Sequence, residues 1–182
     1  MKAIKLIVLA GFSLVALYGC IASKEWRQLT TIEKQMIPYE LGDTVRFVDE
    51  KGVLSLLTVD RDVIYKEQYS GGLSTEILYE VRNVRLSSER GDLSFVLDVA
   101  AWRRWNNHRP HIYIDIKDKA DFSIYYDSKG NIGNYDSLEI NNHTYYDVAV
   151  AKSWRGGQIY YNKTFGILQV TQDGKNIFTL VP

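Results

Sequence analysis

The chain has 182 residues with 22 basic and 22 acidic side chains, so it lacks the basic excess that a nucleic-acid partner calls for. A single cysteine excludes an internal disulfide. Thirteen tyrosines against three prolines, with many Val and Ile, is the composition of half-buried strands and argues against disorder over most of the chain.

The first element in chain order is an export signal over residues 1–19. Lys2 and Lys5 form a short basic region, an apolar run follows, and Leu17-Tyr18-Gly19-Cys20 closes it. The layout is that of a secretory signal peptide, and the run is too short for a comfortable membrane span. Its ending resembles the lipobox of bacterial lipoproteins, which implies that Cys20 becomes the lipidated first residue of the mature chain. Such an anchor ties a protein to a membrane surface without spanning it. A plain cleaved signal needs no cysteine at that point, and a helical anchor wants about 20 apolar residues. Taking 19 residues from 182 leaves a mature chain of 163, enough for one domain with a core. Losing Lys2 and Lys5 leaves it 20 basic against 22 acidic groups, a formal charge of −2.

Residues 20–41 read as a lipid-anchored tether followed by a short helix or arm. Residues 21–28 are polar and without period, whereas Leu29, Ile32 and Met36 fall at helical spacing before Pro38 ends the run. From residue 42 to 182 the period is two. Strands are predicted over residues 44–48, 53–60 and 75–86, with residues 63–69 continuing or restarting the second, a turn at Asp49-Glu50-Lys51-Gly52 and a breaker at Ser70-Gly71-Gly72. Ile77, Tyr79 and Val81 share one parity and Val84 and Leu86 the other, which predicts a bulge near Arg82-Asn83. Further strands are predicted over residues 93–99, 112–116, 122–126, 135–140, 144–151, 158–161, 165–171 and 176–181. Asn141-Asn142 and Asp173-Gly174 suit the positive φ of hairpin turns.

Short connections between about ten strands demand antiparallel neighbours. The expected class is all-β, an antiparallel meander forming a strongly curved sheet, half-barrel or barrel, since a sheet of this many strands tends to curl or close.

Four stretches carry a resemblance. Residues 140–148, INNHTYYDV, resemble the "inGktYxdV" strand pair of small Bacteroidota-type lipoproteins. Residues 159–168, IYYNKTFGIL, resemble their "iYYskexGii" hairpin. Asp173-Gly174 before Phe178 and Leu180 is similar to their "dGxxwxL" ending, and Ile37-Pro38-Tyr39 with Gly42-Asp43 and Phe47 to their "lPYxxGdxvxF" opening. Asn142 stands where the family usually has glycine, and Phe178 where it often has tryptophan. The resemblance implies a lipid-anchored protein of the cell envelope, at the periplasmic or surface face of the outer membrane. It implies no activity.

The densest unusual stretch is residues 102–111. Trp102, Arg103, Arg104, Trp105, His108, Arg109 and His111 could stack a sugar ring or grip an anionic group, because arginine's planar fork suits carboxylates and phosphates. The plainer reading is a long hairpin loop whose tryptophans cover the end of a barrel while the arginines stay in water. His108, His111 and His143 do not have a spacing that fixes their rings on one metal, and no cysteine supports them. Asp127-Ser128-Lys129-Gly130-Asn131 reads as a turn, since Lys129 stands where a calcium loop wants an oxygen. No nucleophile motif, phosphate loop or cofactor motif is present. The expectation is therefore a non-enzyme that binds an envelope partner or supports an assembly. The alternative is a carrier of an apolar or glycan ligand on the concave side of the sheet. A filled interior would favour the first and an empty apolar concavity the second.

Overall fold

The structure is a computed structural model that describes residues 23–70, 75–101, 110–127 and 129–182. Twelve strands and one short helix occur among these. They are β1 (Ser23–Arg27), α1 (Thr31–Lys34), β2 (Thr44–Asp49), β3 (Leu54–Ser70), β4 (Thr75–Ser88), β5 (Ser94–Ala100), β6 (His111–Ile116) and β7 (Ala120–Tyr125). Then follow β8 (Tyr135–Ile140), β9 (His143–Lys152), β10 (Gly157–Asn162), β11 (Gly166–Gln172) and β12 (Lys175–Leu180). One sheet runs β7-β6-β5-β4-β3-β2-β12-β11-β10-β9-β8, with every neighbouring pair antiparallel. It is strongly curled into a half-barrel, so that β7 comes up against β9 and β10. At that approach the Trp154 indole donates to the Asp121 carboxylate at 3.1 Å.

The expected meander is present, and its hairpins turn where the residues permit. Asn141 and Asn142 have φ of +50° and +60°, and Asp173 and Gly174 have +51° and +77°, the geometry that matches the right-handed twist of the flanking strands. In the turn at Asp127 the carboxylate Oδ1 accepts the N–H groups of Lys129 and Asn131 at 2.8 and 2.9 Å. The concave face is apolar. Phe95 meets Phe47 and Phe178 edge to face at 5.4 and 5.8 Å, and Leu57, Leu86, Leu97, Ile112, Ile114 and Ile116 are fully buried beside them.

Residues 63–69 continue the strand predicted over 53–60 rather than restart it, giving β3 its 17 residues. Two expectations are corrected. The bulge lies on that strand: Val59 pairs with Leu86 and Arg61 with Arg85, leaving Asp60 as the extra residue. Strand β4 has no bulge at Arg82-Asn83; its pairing with β5 is continuous from Val81 to Ser87. Its parity changes because different faces are buried along its length. Arg82, Val84 and Leu86 face the concave side opposite Val99, Leu97 and Phe95, whereas Ile77, Tyr79 and Val81 lie on the convex face and are also buried. Finally, Ser23–Arg27 is no tether. It is a strand parallel to β4, in register from Ser23 opposite Thr75 to Arg27 opposite Tyr79.

Residues 29–39 cross the concave side. α1 is four residues long, far below the length at which a helix stands alone, so tertiary contacts must hold it. Thr30 caps it: the hydroxyl accepts the Glu33 N–H at 3.2 Å, and the Glu33 carboxylate accepts the Thr30 N–H at 2.7 Å. Beyond the helix, Arg82 binds the segment through its backbone. Its Nη1 donates to the carbonyls of Lys34 at 2.5 Å and Ile37 at 2.9 Å, and its Nη2 to that of Tyr39 at 2.6 Å. Nε and Nη2 reach the two oxygens of Asp62 at 2.9 and 2.8 Å. All five N–H donors of the guanidinium are thereby used.

From the other wall, the Tyr161 hydroxyl donates to the Met36 carbonyl at 2.5 Å, and the Tyr39 hydroxyl accepts the Ile167 N–H at 2.7 Å. Gly166 makes room for that tyrosine. Its φ is +75°, and a Cβ there would overlap the Tyr39 hydroxyl and ring. Gly166→Ala is therefore expected to lower stability by about 2–3 kcal/mol, from backbone strain plus displacement of Tyr39. Arg82→Ala is expected to cost about 3–5 kcal/mol, because it leaves Asp62 and three carbonyls without their donor. Urea denaturation checks both, through a lowered midpoint with an unchanged slope.

Candidate functional site

Of the sequence-derived site residues, Trp102, Arg103, Arg104, Trp105, His108 and Arg109 lie outside the described residues, as does Cys20. The two ends of their loop are described. Ala101 donates its N–H to the Glu80 carbonyl at 2.9 Å, and the Pro110 carbonyl accepts the Tyr126 N–H at 2.9 Å. His111 is the first residue of β6, its ring 5.5 Å from that of Tyr125 across the β6–β7 hairpin. His143 begins β9, with its ring 5.4 Å from Tyr145. Among the described residues no group of three or more His, Asp or Glu gathers in a way that could hold a metal.

The described ends, Ala101 and Pro110, lie beside the ends of β5 and β6, at the margin of a convex surface built by β3 to β7. Register sets its composition, because residues directly opposite across antiparallel strands point to the same side. One row runs Val63, Asn83, Asp98, Tyr113, Ser123, and the next runs Arg61, Arg85, Val96, Asp115, Asp121. Towards the loop the same face carries Tyr65 opposite Val81 and Glu67 opposite Tyr79. These groups are linked. Tyr79 donates its hydroxyl to the Glu67 carboxylate, Tyr65 donates to the same carboxylate at 3.2 Å, and Asn83 donates to Asp98 Oδ1 at 2.6 Å.

Electrostatics on this face are unusual for an outward-pointing surface. Burial holds the Asp98 carboxyl above its ordinary value, with the charges of Glu67 and Asp115 adding to the effect and the Asn83 hydrogen bond and Arg61 opposing it. Asp115 is raised in the same sense, first by burial and then by Asp121. The Tyr65 phenol is pushed up to about 12 by burial and by the charges of Asp98 and Glu67. Tyr113 is raised by burial and by three aspartates, Asp121, Asp115 and Asp98. Chemically the surface is a shelf of tyrosine edges and carboxylate acceptors. It can accept hydrogen bonds from the hydroxyl or cationic groups of something outside the domain.

Sequence reasoning missed these residues because each is an ordinary outward position of its own strand; only the register of five strands brings them together. The signal was faint but present, in Asp98 and Asp115 each placed amid an alternating apolar run.

Compared with protein-family models, curated proteins and solved structures, the chain matches none at a significant level.

The raised carboxyl gives a pH-dependent expectation. Because the folded state binds the Asp98 proton more tightly than the unfolded state, stability falls as pH rises from the ordinary value of 3.8 through the raised folded one. Asp98→Asn removes that penalty and keeps an oxygen for Asn83. Relative to the wild type it is expected to be more stable at pH 7, with the difference fading towards pH 3. Urea midpoints measured across that range test the sign.

Proposed function

We propose that this chain is a lipid-anchored cell-envelope protein, held at the outer membrane through Cys20, whose β domain is a non-catalytic module that binds a partner protein or supports an assembly. The observation that carries this reading is the filled concave side. Met36, Ile37 and Tyr39 are buried there with 1, 2 and 4 % exposure, fixed by Arg82 on one wall and Tyr161 on the other. A carrier of an apolar or glycan ligand needs the volume that these side chains occupy. The surface left for recognition is convex: the carboxylate and tyrosine rows of β3 to β7, to which the proposal adds Trp102, Arg104 and Trp105 from the sequence between β5 and β6. Membrane attachment rests on the signal-like residues 1–19 and the lipobox-like ending at Cys20.

Intact mass of the protein recovered from membranes, native mass of the domain and pull-down from the envelope together test the proposal. The expected result is an acylated chain beginning at Cys20, a domain without co-purifying small molecule, and a captured partner. Replacing Trp102, Arg104 and Trp105 by alanine is expected to reduce that capture at least tenfold. An unlipidated chain beginning elsewhere removes the anchor, and a ligand mass on the native domain moves the function to the carrier. Unchanged capture by the triple variant removes the loop from the binding surface.

A further inference from the structure

The β8–β9 hairpin stands away from the rest of the sheet. β9 pairs with β8 between His143 and Val148 and with β10 from Ala149 to Lys152, and no β9 residue pairs with both. The change of partner falls at Asp147, whose φ of +52° a strand residue seldom adopts. Gly133 packs on that bend, since a Cβ there would come within 3.2 Å of the Asp147 backbone. The first half of β8 is therefore bare on both faces: Tyr135, Asp136 and Ser137 are all exposed, and only Leu138 and Ile140 turn into the core. Among the described residues β8 ends the sheet, so one of its edges has no strand beside it. Turn geometry fixes which backbone groups lie on that edge. Asn141-Asn142, both with positive φ, form a two-residue turn that makes Ile140 and His143 a hydrogen-bonded pair. Alternation then aims the even-numbered residues at β9, in agreement with the 2.9 Å bond from the Asn134 N–H to the Val148 carbonyl. The N–H and C=O groups of Tyr135, Ser137 and Glu139 are left on the open edge.

We infer that this edge takes an extended, basic segment of a partner protein as an added antiparallel strand. β8 carries neither proline nor lysine, two devices that keep an exposed edge from pairing. Charge chooses the occupant. Residues 130–151 contain no Lys or Arg, whereas Asp136, Glu139 and Asp147 give the segment a formal charge of −3 with His143 neutral. The Lys163 ammonium, which reaches the start of this segment, donates to the Gly130 carbonyl at 2.9 Å. A second copy of the chain would lay the same acidic edge against itself, which like charges across a strand pair oppose. Register then says what the partner carries. Glu139 lies on the face of Thr144, Ser137 and Tyr146, and Asp136 lies on the other face. An added strand therefore places two basic residues three positions apart, one opposite Glu139 and one opposite Asp136, with uncharged residues between them opposite Leu138 and Ser137. Tyr135 and Tyr146, 50 and 68 % exposed on the Glu139 face, offer ring surface to the stem and charge of the first. The edge is separate from the convex surface of β3 to β7, and binding there depends neither on that surface nor on Cys20.

The test is fluorescence anisotropy of a labelled, acetylated and amidated peptide, Val-Lys-Val-Thr-Lys-Val, titrated with the full chain in a neutral detergent. Saturable binding is expected, weakened about tenfold or more when both lysines are replaced by glutamate. N-methylation of the first lysine and the threonine, whose amides face Glu139 and Ser137, is expected to weaken it about tenfold or more as well. N-methylation of the valine between them, whose amide faces water, is expected to leave affinity within about twofold. On the protein, Ser137→Pro removes an outward N–H without breaking a bond to β9 and is expected to lose the peptide. The double variant Asp136→Lys with Glu139→Lys, which leaves the β8 backbone as it is, is expected to prefer the glutamate peptide. Equal affinity for the lysine and glutamate peptides, equal affinity for the two N-methylated forms, or no saturation by about 1 mM chain overturns the inference. Dimerisation of the chain alone that Ser137→Pro abolishes gives the edge to a second copy and overturns the basic partner. Each of these failures leaves the lipid anchor and the convex surface standing.

Discussion

The guanidinium of Arg82 is the constraint on which the interior depends. An arginine on the apolar face of a curled sheet is costly unless each of its donors is met. Here two go to Asp62 and three to the backbone carbonyls of Lys34, Ile37 and Tyr39. The dependence runs both ways. A four-residue helix and the irregular chain after it leave carbonyls that water cannot reach, and only arginine has the five donors to serve three of them and both oxygens of Asp62 at once. Tyr161 and Tyr39 complete the span to β10 and β11. The half-barrel is thus tied across its concavity by hydrogen bonds between elements that are not neighbours in the sheet.

Much of this fold was legible in the sequence, for a local reason. Alternation in β5 and β6 follows from one face being buried, and Asn141-Asn142 and Asp173-Gly174 tolerate the positive φ that a tight hairpin requires. What was not legible depends on distant partners. β4 buries its convex face at Ile77 to Val81 and its concave face at Val84 and Leu86, which in one dimension looks like a bulge. The real bulge at Asp60 falls in a charged stretch of β3 where no apolar pattern could mark it. β1 is polar and only five residues long, and it is a strand because β4 offers an unpaired edge. The capping pair Thr30 and Glu33, by contrast, is readable locally as Thr-x-x-Glu.

The convex face follows the same division. Its loop announced itself by composition, with tryptophans, arginines and histidines crowded into ten residues. Its carboxylates did not, because Asp98, Asp115 and Asp121 sit on three strands and meet only through register. Neither half identifies a ligand. The described half is a surface of tyrosine edges and acceptor oxygens, and the cationic and aromatic stretch joins its strands β5 and β6 in sequence.

Asp98 and Asp115 both titrate above the ordinary carboxylate range because burial disfavours their charged forms. Outward strand positions chosen for stability alone would carry threonine or a long, freely hydrated side chain. Keeping partly desolvated carboxylates there lowers the stability of the free domain at neutral pH. A partner group that donates to them would recover part of that cost on binding, since an opposite charge or a hydrogen bond to the ionised form favours it. The concave side carries less of this cost: the Arg82 guanidinium is fully matched and the apolar side chains are packed, and among the described residues only the Tyr126 hydroxyl is a buried side-chain atom without a partner. The asymmetry between a largely satisfied interior and a partly desolvated, carboxylate-bearing exterior is the physical argument behind the proposal that recognition lies on the outside of the half-barrel.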